Sequence, residues 1–454
     1  MLVKDLNNIK IEIPSKVKFI IKELENNGFE GYVVGGCVRD SILKREIHDW
    51  DITTNAKPEN IIEIFNHTIP TGIKHGTVTV MIEDEAFEVT TYRIDGEYID
   101  NRHPSEVTFV SDIKEDLSRR DFTINAMAYS EKNGLIDFFN GLEDLENKII
   151  RAVGDPIKRF DEDALRMMRA IRFAAQLNFE IDSDTSKAIL ELNENINSVS
   201  IERIRDEFNK IIISNVWYIN ELINLGLLKE FLPELVECQG VDQKNIHHVF
   251  DVLSHILTSA NNIENNLYLR LTMVFHDLCK PECMVIDEKG IGHFYGHEEA
   301  SFNKTLIILK RMKYDNDTIN KVTTLIKYHD RTINSRKSIR KLLNIIGEEL
   351  FRDLLKVKAA DLSAQNPIYH EEGYAKLALI EEKFKEILEK KECFSIKNLE
   401  IDGRDLINIG VNQGTDIGKI LNHLLEKVIE EPCLNTKESL VRITKKFVKD
   451  NLII

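Results

Sequence analysis

Long apolar runs are missing from this 454-residue chain, and nothing in it approaches the length needed to cross a bilayer. Cysteine is scarce. The six cysteines are scattered without framework spacing, which argues against a disulfide-stapled scaffold and fits a reducing cytosol. Only Cys279 and Cys283 lie close together, and two thiols without a second pair make a poor zinc site. The opening, MLVKDLNNIKIEIPSKVKF, lacks the apolar block and small-residue cleavage site of a secretory signal. Positive charge is in deficit, with a formal net charge of −16. Nucleic-acid partners normally want a basic face, so the sum argues against one. Local stripes outweigh the sum, however, and carboxylates gathered at metal sites add to it without repelling a ligand.

What is present suffices for more than one core: 454 residues with 43% apolar content predict two to four domains. Up to about residue 140, short strands mix with helices. VKFIIKELENNGFE has helical spacing, GYVVGG is a strand ending in a glycine turn, and GTVTVMI and AFEVTTYRI are alternating β-branched runs joined by EDE. Beyond about residue 155 nearly everything has helical period and proline is sparse. The expected fold class is α+β, a small α/β head followed by a long all-α remainder. Seams are expected near residues 140–150, 235–245 and 365–375.

From Gly35 the head reads GGCVRDSILKREIHDWDITTNA. If IHDWDITT is a strand, Asp49 and Asp51 point the same way while Trp50 and Ile52 face the core. Two acids so close repel each other, which calls for a positive group between them. Magnesium, a hard cation with oxygen ligands, suits the pair and would serve phosphoryl or nucleotidyl transfer. Gly35 and Gly36 let backbone amides approach a triphosphate, and Arg39 adds a charged clamp. Glu88, on the neighbouring predicted strand AFEVTTYR, is a candidate third carboxylate. A solvated strand edge beside a glycine turn is the plainer alternative for this stretch.

In EDALRMMRAIRF, Asp163 and Arg166 stand three apart on a predicted helix, hence on one face. An aspartate beside an arginine complements an amino donor next to a ring-nitrogen acceptor, the pairing edge of cytosine and adenine. It mismatches the edge of uracil and guanine. Buried groups left unpaired cost about 1–3 kcal/mol apiece, so such a pair discriminates.

Taken in order, GGCVRD, DWDITTNA, RRDFTINAMAY (residues 119–129) and EDALRMMRAIRFAAQLNF (residues 162–179) resemble the class II tRNA nucleotidyltransferases. This is the poly(A)-polymerase-related branch of the polymerase-β superfamily, which includes the CCA-adding enzymes. The resemblance implies a polymerase-β-type head at residues 1–145 and a neck and body with a nucleotide-reading helix at 146–238. Asp49, Asp51 and Glu88 would be the catalytic carboxylates, with Mg²⁺ on Asp49 and Asp51. Asp163 and Arg166 would read the base. Gly36, Arg39, Arg120, Arg169 and Arg172 would surround the nucleotide and its phosphates. Steps of three rotate the stripe of an ideal helix by about 60° each, so Arg172 would lie opposite Asp163 and its role stays open. Ser200 is expected to cap SIERIRDEFNKII, with Arg203 and Arg205 solvated or packed against the neck.

A second ordered set, VFDVLSHIL, VFHDLCKPE, FYGHEEAS, IKYHD and KAADLSA, resembles the HD superfamily of metal-dependent helical proteins. The resemblance places this domain at 239–368, where His255, His276, Asp277 and Asp361 would hold a first metal. His297 and His329 would complete a second. Imidazole with carboxylate suits Mn²⁺, Ni²⁺, Co²⁺ or iron, and a water activated by such a metal attacks a phosphoester. Cys279 stands where this family usually has glycine, which leaves the turn open; His247 and His248 have no assigned role. The remainder, 369–454, resembles the tRNA-binding tail of the same nucleotidyltransferases, its short helices punctuated by Gly403, Gly410 and Gly414.

The expected function is therefore template-independent addition of C, C and A to the 3′ end of tRNA from CTP and ATP, in the cytoplasm. The HD portion would process phosphate esters at RNA 3′ ends, and neither a membrane nor a stable protein partner is implied. Poly(A) polymerase and A-only or CC-only addition are alternatives. The loop IDGEYIDNRHPSEVTF (residues 94–109), which resembles the loop needed to switch from C to A, disfavours the CC-only one. An HD phosphohydrolase with a nucleotide-sensing or RNA-binding head is the alternative of another class.

Overall fold

The computed structural model describes residues 9–47, 49–96 and 107–450, so most of the loop at 94–109 lies outside the described residues. The chain divides between Pro233 and Glu234 into two compact units. In the first, the helix Ser15–Asn26 buries Val17, Ile20, Ile21 and Leu24, the i, i+3, i+4, i+7 positions of one face.

The head sheet is built from β1 (Tyr32–Val34), β2 (Ile52–Thr54), β3 (Thr68–Gly72), β4 (Thr77–Ile82) and β5 (Glu85–Thr91). A hairpin of β6 (Arg93–Asp95) and β7 (Val107–Phe109) stands apart, and β8 (Met127–Ser130) and β9 (Gly134–Asp137) complete the sheet. The strand order is β3-β4-β5-β2-β1-β8-β9. β2 runs parallel to β5, with Ile52 beside Val89, and the other pairs are antiparallel. The turn between β4 and β5 is Glu83 and Asp84, with Glu83 at φ +56°, and Glu85 of the EDE stretch already opens β5.

One expectation is corrected here. Asp49 and Asp51 do not lie within a strand, because pairing with β1 begins at Ile52, opposite Val33. Both acids stay exposed on the segment that leads into β2, and Trp50 is half-buried while Ile52 alone enters the core. The all-helical expectation for the remainder holds apart from two small ladders. Ile149–Ile150 pairs with Glu180–Ile181, and Met284–Ile286 forms an antiparallel hairpin with Gly292–Phe294.

The helices of the second unit start where short polar side chains precede apolar periodicity. Asp251, Asn266 and Asp315 accept hydrogen bonds from the amides of Ser254, Tyr268 and Thr318, capping Val252–Asn262, Leu267–Phe275 and Asn316–Tyr328. His297–Arg311 and the long Arg336–Ser363 helix complete this group, the latter broken at Gly347 with φ +79°. The tail helices Thr415–Glu430 and Lys437–Asp450 share a core of Ile420, Leu424, Val428 and Leu440. Arg340 fastens the long helix to them by donating to the Ile429 carbonyl at 3.1 and 2.8 Å.

Candidate active sites in the two units

In the head, β5 alternates: Phe87 and Val89 are buried and Glu88 is exposed. Carrying the β2–β5 register one residue back sets Asp51 beside Glu88, and neighbours in register share a face. Partial desolvation raises the Asp51 carboxyl above its ordinary value. Arg120 pulls it down and Asp49 pushes it up. Asp51 therefore feels its neighbour Asp49, and Arg120 is the cation placed against Asp51.

Arg120 also explains the glycine turn. Gly35 has φ +80°, and a Cβ there would lie 2.9 Å from Arg120 Nη1. A Cβ on Gly36 would meet nothing closer than Arg39 Nη2 at 3.7 Å. Of the two, Gly35 is the position whose backbone requires glycine.

Arg39 donates to Asn125 Oδ1 at 2.6 Å and, bidentately, to Asp40 at 3.0 and 2.7 Å. Asn125 donates to Asp121 Oδ1, and Arg169 grips Asp121 Oδ2 at 2.8 and 2.5 Å. Burial alone would raise the Asp121 carboxyl, but Arg169 outweighs it and holds the group at about 2. Three guanidinium groups surround the Phe173 ring: Arg172 at 4.1 Å, Arg39 at 5.2 Å and Arg169 at 5.4 Å from its centre. Arg172 pairs with Glu207 at 2.8 Å, and burial lowers it to about 10. The structure thus brings Arg39, Arg169 and Arg172 together, with Arg120 beside Asp51.

Asp163 and Arg166 do not share a helix. The first helix ends at Glu162 and the next starts at Leu165, with Asp163 extended between them at φ −147° and ψ 103°. Its carboxylate accepts from the Leu165 amide at 3.1 Å, a side-chain bond that favours the break over a continuous helix. Arg203 then holds Asp163 at 2.9 Å, so Arg203 is neither solvated nor merely packing. Arg166 donates to Glu162 and to the carbonyls of Arg159 and Arg119. Ser200 occupies the N-cap position of Ile201–Ser214, but its side chain makes no capping bond. With Asp163 off the helix, the angular objection to Arg172 disappears. Sequence reasoning passed over Asp121, Asn125 and Glu207; the four-residue spacing of Asp121 and Asn125 inside RRDFTINAMAY was the available signal.

The second unit gathers a denser cluster. His255, His276, Asp277 and Asp361 bring one ligand atom each within 4.8 Å of the others, and so do Asp277, His297 and His329. Among the described residues the head carboxylates form no cluster that tight. Four ring Nδ1 atoms lie 2.7–3.1 Å from carbonyls, of Ala364, Met273, Phe294 and Ile326. A carbonyl only accepts, so each Nδ1 carries a proton and each Nε2 turns inward. The Nε2 atoms of His255 and His276 stand 3.4 Å apart, and those of His297 and His329 stand 3.3 Å apart. Asp277 lies between the pairs. Its Oδ2 is 3.1 Å from His255 and 3.2 Å from His276, and its Oδ1 is 3.3 Å from His297. Neither oxygen receives a well-aligned hydrogen bond, although Lys280 Nζ lies 2.6 Å from Oδ2. Burial would lower His276, but the Asp277 and Asp361 carboxylates raise it to about 10, a field that favours positive charge. Cys279 sits at φ −97° and ψ 7°, ordinary for any residue, so the turn after His276–Asp277 does not require glycine.

The Poly A polymerase head domain family matches residues 31–151, the RNA- and SrmB-binding site of polymerase A matches 178–238, and a tRNA nucleotidyltransferase domain 2 matches 299–444. The chain is 36% identical over 437 residues to a CCA-adding enzyme of Limosilactobacillus reuteri, covering 95% of this chain and 96% of that protein. Against a CCA-adding enzyme of Staphylococcus epidermidis it is 33% identical over 439 residues, covering 96% and 99%. In structure it is similar to the Bacillus stearothermophilus CCA-adding enzyme in complex with CTP, with a TM-score of 0.67, 28% identity and coverage of 96% and 97%. The Thermotoga maritima CCA-adding enzyme complexed with tRNA shares the fold at a TM-score of 0.58 and 20% identity.

Proposed function

The chain belongs to the CCA-adding enzymes, and on that premise we propose that it builds the 3′-CCA end of tRNA from CTP and ATP without a template, in the cytoplasm. The near-full-length match to CCA-adding enzymes carries this reading. The chemistry of the head residues agrees with it. Asp49, Asp51 and Glu88 offer only oxygen donors, and the mutual repulsion of Asp49 and Asp51 is what a hard divalent ion would relieve. Bound there, Mg²⁺ would lower the pKa of the attacking hydroxyl and neutralise the leaving pyrophosphate.

The chain's own side chains do the rest. The terminal ribose hydroxyl of the tRNA attacks the α-phosphate, and pyrophosphate leaves. Arg120, beside Asp51 and Gly35, and the arginines around Phe173 bind and orient the triphosphate. Asp163 and Arg166 read the base. Arg203 and the Leu165 amide fix Asp163 and leave carboxylate lone pairs for an amino group. Arg166 has three of its N–H groups engaged and two left for a ring nitrogen. Cytosine and adenine present that pattern.

The test supplies tRNAs lacking zero to three 3′ nucleotides with each nucleotide alone and in pairs. CTP should extend the shortest by two, ATP should complete it, and UTP and GTP should be rejected. Addition of A alone, or without limit, overturns the reading.

A second reading rests on one observation, the two inward-facing histidine pairs that converge on the buried Asp277 carboxylate. We infer an HD-type phosphohydrolase site. His255, His276, Asp277 and Asp361 would hold one metal, and His297 and His329, with Asp277 shared, a second. Imidazole nitrogens with carboxylates fit Mn²⁺, Ni²⁺, Co²⁺ or iron, which when bound would supply an activated water for attack on phosphate esters at RNA 3′ ends.

A further inference from the structure

The pocket above the histidine–aspartate cluster encloses about 360 Å³, and its lining includes an aromatic pair that holding a metal does not require. His293 lies in the strand that ends at Phe294, and Tyr295 in the turn directly after it. Their rings are parallel within 7°, with centres 5.4 Å apart. His293 is braced from its own hairpin, since its Nε2 lies 3.1 Å from Asp287 Oδ2. Asp287 is itself fixed by the amides of Lys289 and Ile291, both at 2.9 Å. Tyr295 is 75% exposed, so one ring stacks on His293 while much of its own surface stays open. Two residues later comes His297 of the cluster, reached through Gly296 at φ +75°. The tyrosine is therefore tied by a short, shaped segment to the place where a phosphoester would react.

A braced, open aromatic face beside a phosphate-directed pocket suits a planar ring carried on the ester. We propose that Tyr295, backed by His293, is a base-stacking platform that makes this pocket select nucleoside phosphoesters; the proposal rests on the phosphohydrolase reading above. Every nucleobase has a π face, so the platform selects nucleosides as a class without choosing among bases. The ribose phosphate then reaches the cluster while the base lies on the ring.

The test uses the full-length protein loaded with Mn²⁺ and compares hydrolysis of adenosine 2′,3′-cyclic phosphate with that of glycerol 1,2-cyclic phosphate, which has no base. Tyr295→Ala should raise KM for the adenosine ester about tenfold, leave kcat within about twofold, and leave the glycerol ester unchanged. Tyr295→Phe should behave as the parent. An RNA hairpin ending in a cyclic phosphate distinguishes the sources: a matching KM shift means a terminal nucleoside occupies the platform, and turnover of the mononucleotide alone means free nucleotides do. Either supports the platform. Equal effects on both small esters, no effect, or a Phe variant as poor as Ala overturns it. As a readout independent of turnover, 8-azidoadenosine 2′-phosphate should label the peptide containing Tyr295 on illumination. If no ester is hydrolysed, the phosphohydrolase reading has failed, and absence of label at Tyr295 separately overturns the platform.

Discussion

Asp121 is the side chain on which the head's polar network turns. It is buried, held at about 2, and linked to Arg169 directly and to Arg39 through Asn125. A carboxyl whose folded pKa is depressed contributes stability above its unfolded value, near 3.9, and loses it as pH falls through the folded one. The shift corresponds to about 2–3 kcal/mol. Asp121→Asn is expected to lower unfolding stability by about that amount at pH 7, with the gap to the parent closing between about pH 4 and pH 2. Chemical denaturation across that range measures it, and a gap independent of pH would show that Asp121 acts through packing alone. Gly35 makes a second claim at this scale. Gly35→Ala should cost roughly 1–3 kcal/mol in backbone strain and displace Arg120, lowering nucleotide addition steeply. Gly36→Ala, with its nearest contact at 3.7 Å, should do far less. Equal losses in a paired stability and addition assay would contradict the assignment.

At the scale of elements, the informative feature is the break between Pro156–Glu162 and Leu165–Leu177. Periodicity reads straight through it, because Phe160, Ala164, Met168 and Ile171 keep a helical stripe across the break and all are buried. What ends the first helix is one carboxylate bonding the Leu165 amide and an arginine 40 residues away, a partner that no local pattern discloses. The strands of the head were readable for the opposite reason. GTVTVMI and AFEVTTYRI are β-branched runs joined by a turn, and Glu88 follows from the alternation of the second. The start of β2 was not, since DWD continues the strand-like run although only the Asp51 carbonyl, which accepts from the Val34 amide, still takes part in the pairing. The histidine stations of the second unit were visible as strings, whereas the inward turn of each Nε2 depends on carbonyls the sequence does not point to. The break also gives a prediction. Arg203→Ala frees Asp163, and discrimination against UTP and GTP should fall by about tenfold or more while addition of CTP persists. Competition between nucleotides reports this, and unaltered selectivity would mean that Arg203 does not position Asp163.

At the scale of the whole molecule, one chain carries oxygen donors and arginines in its first compact unit and a histidine–aspartate cluster in its second. The formal charge of −16 is no obstacle to a polyanionic partner on this account. Many of its carboxylates are individually matched, as Asp121, Glu207 and Asp163 are by arginines. No helix among the described residues is long and apolar enough to cross a membrane. Central to the account is that Asp49 and Asp51 support nucleotide addition independently of the histidine cluster. The most direct measurement assays CCA addition and phosphoester hydrolysis in parallel for the parent, Asp49→Ala and His276→Ala, with bound transition metal quantified in each. The account predicts that Asp49→Ala loses addition by about two to three orders of magnitude and keeps hydrolysis and metal, while His276→Ala shows the reverse. Addition that survives the loss of Asp49, or that falls with His276, would contradict it.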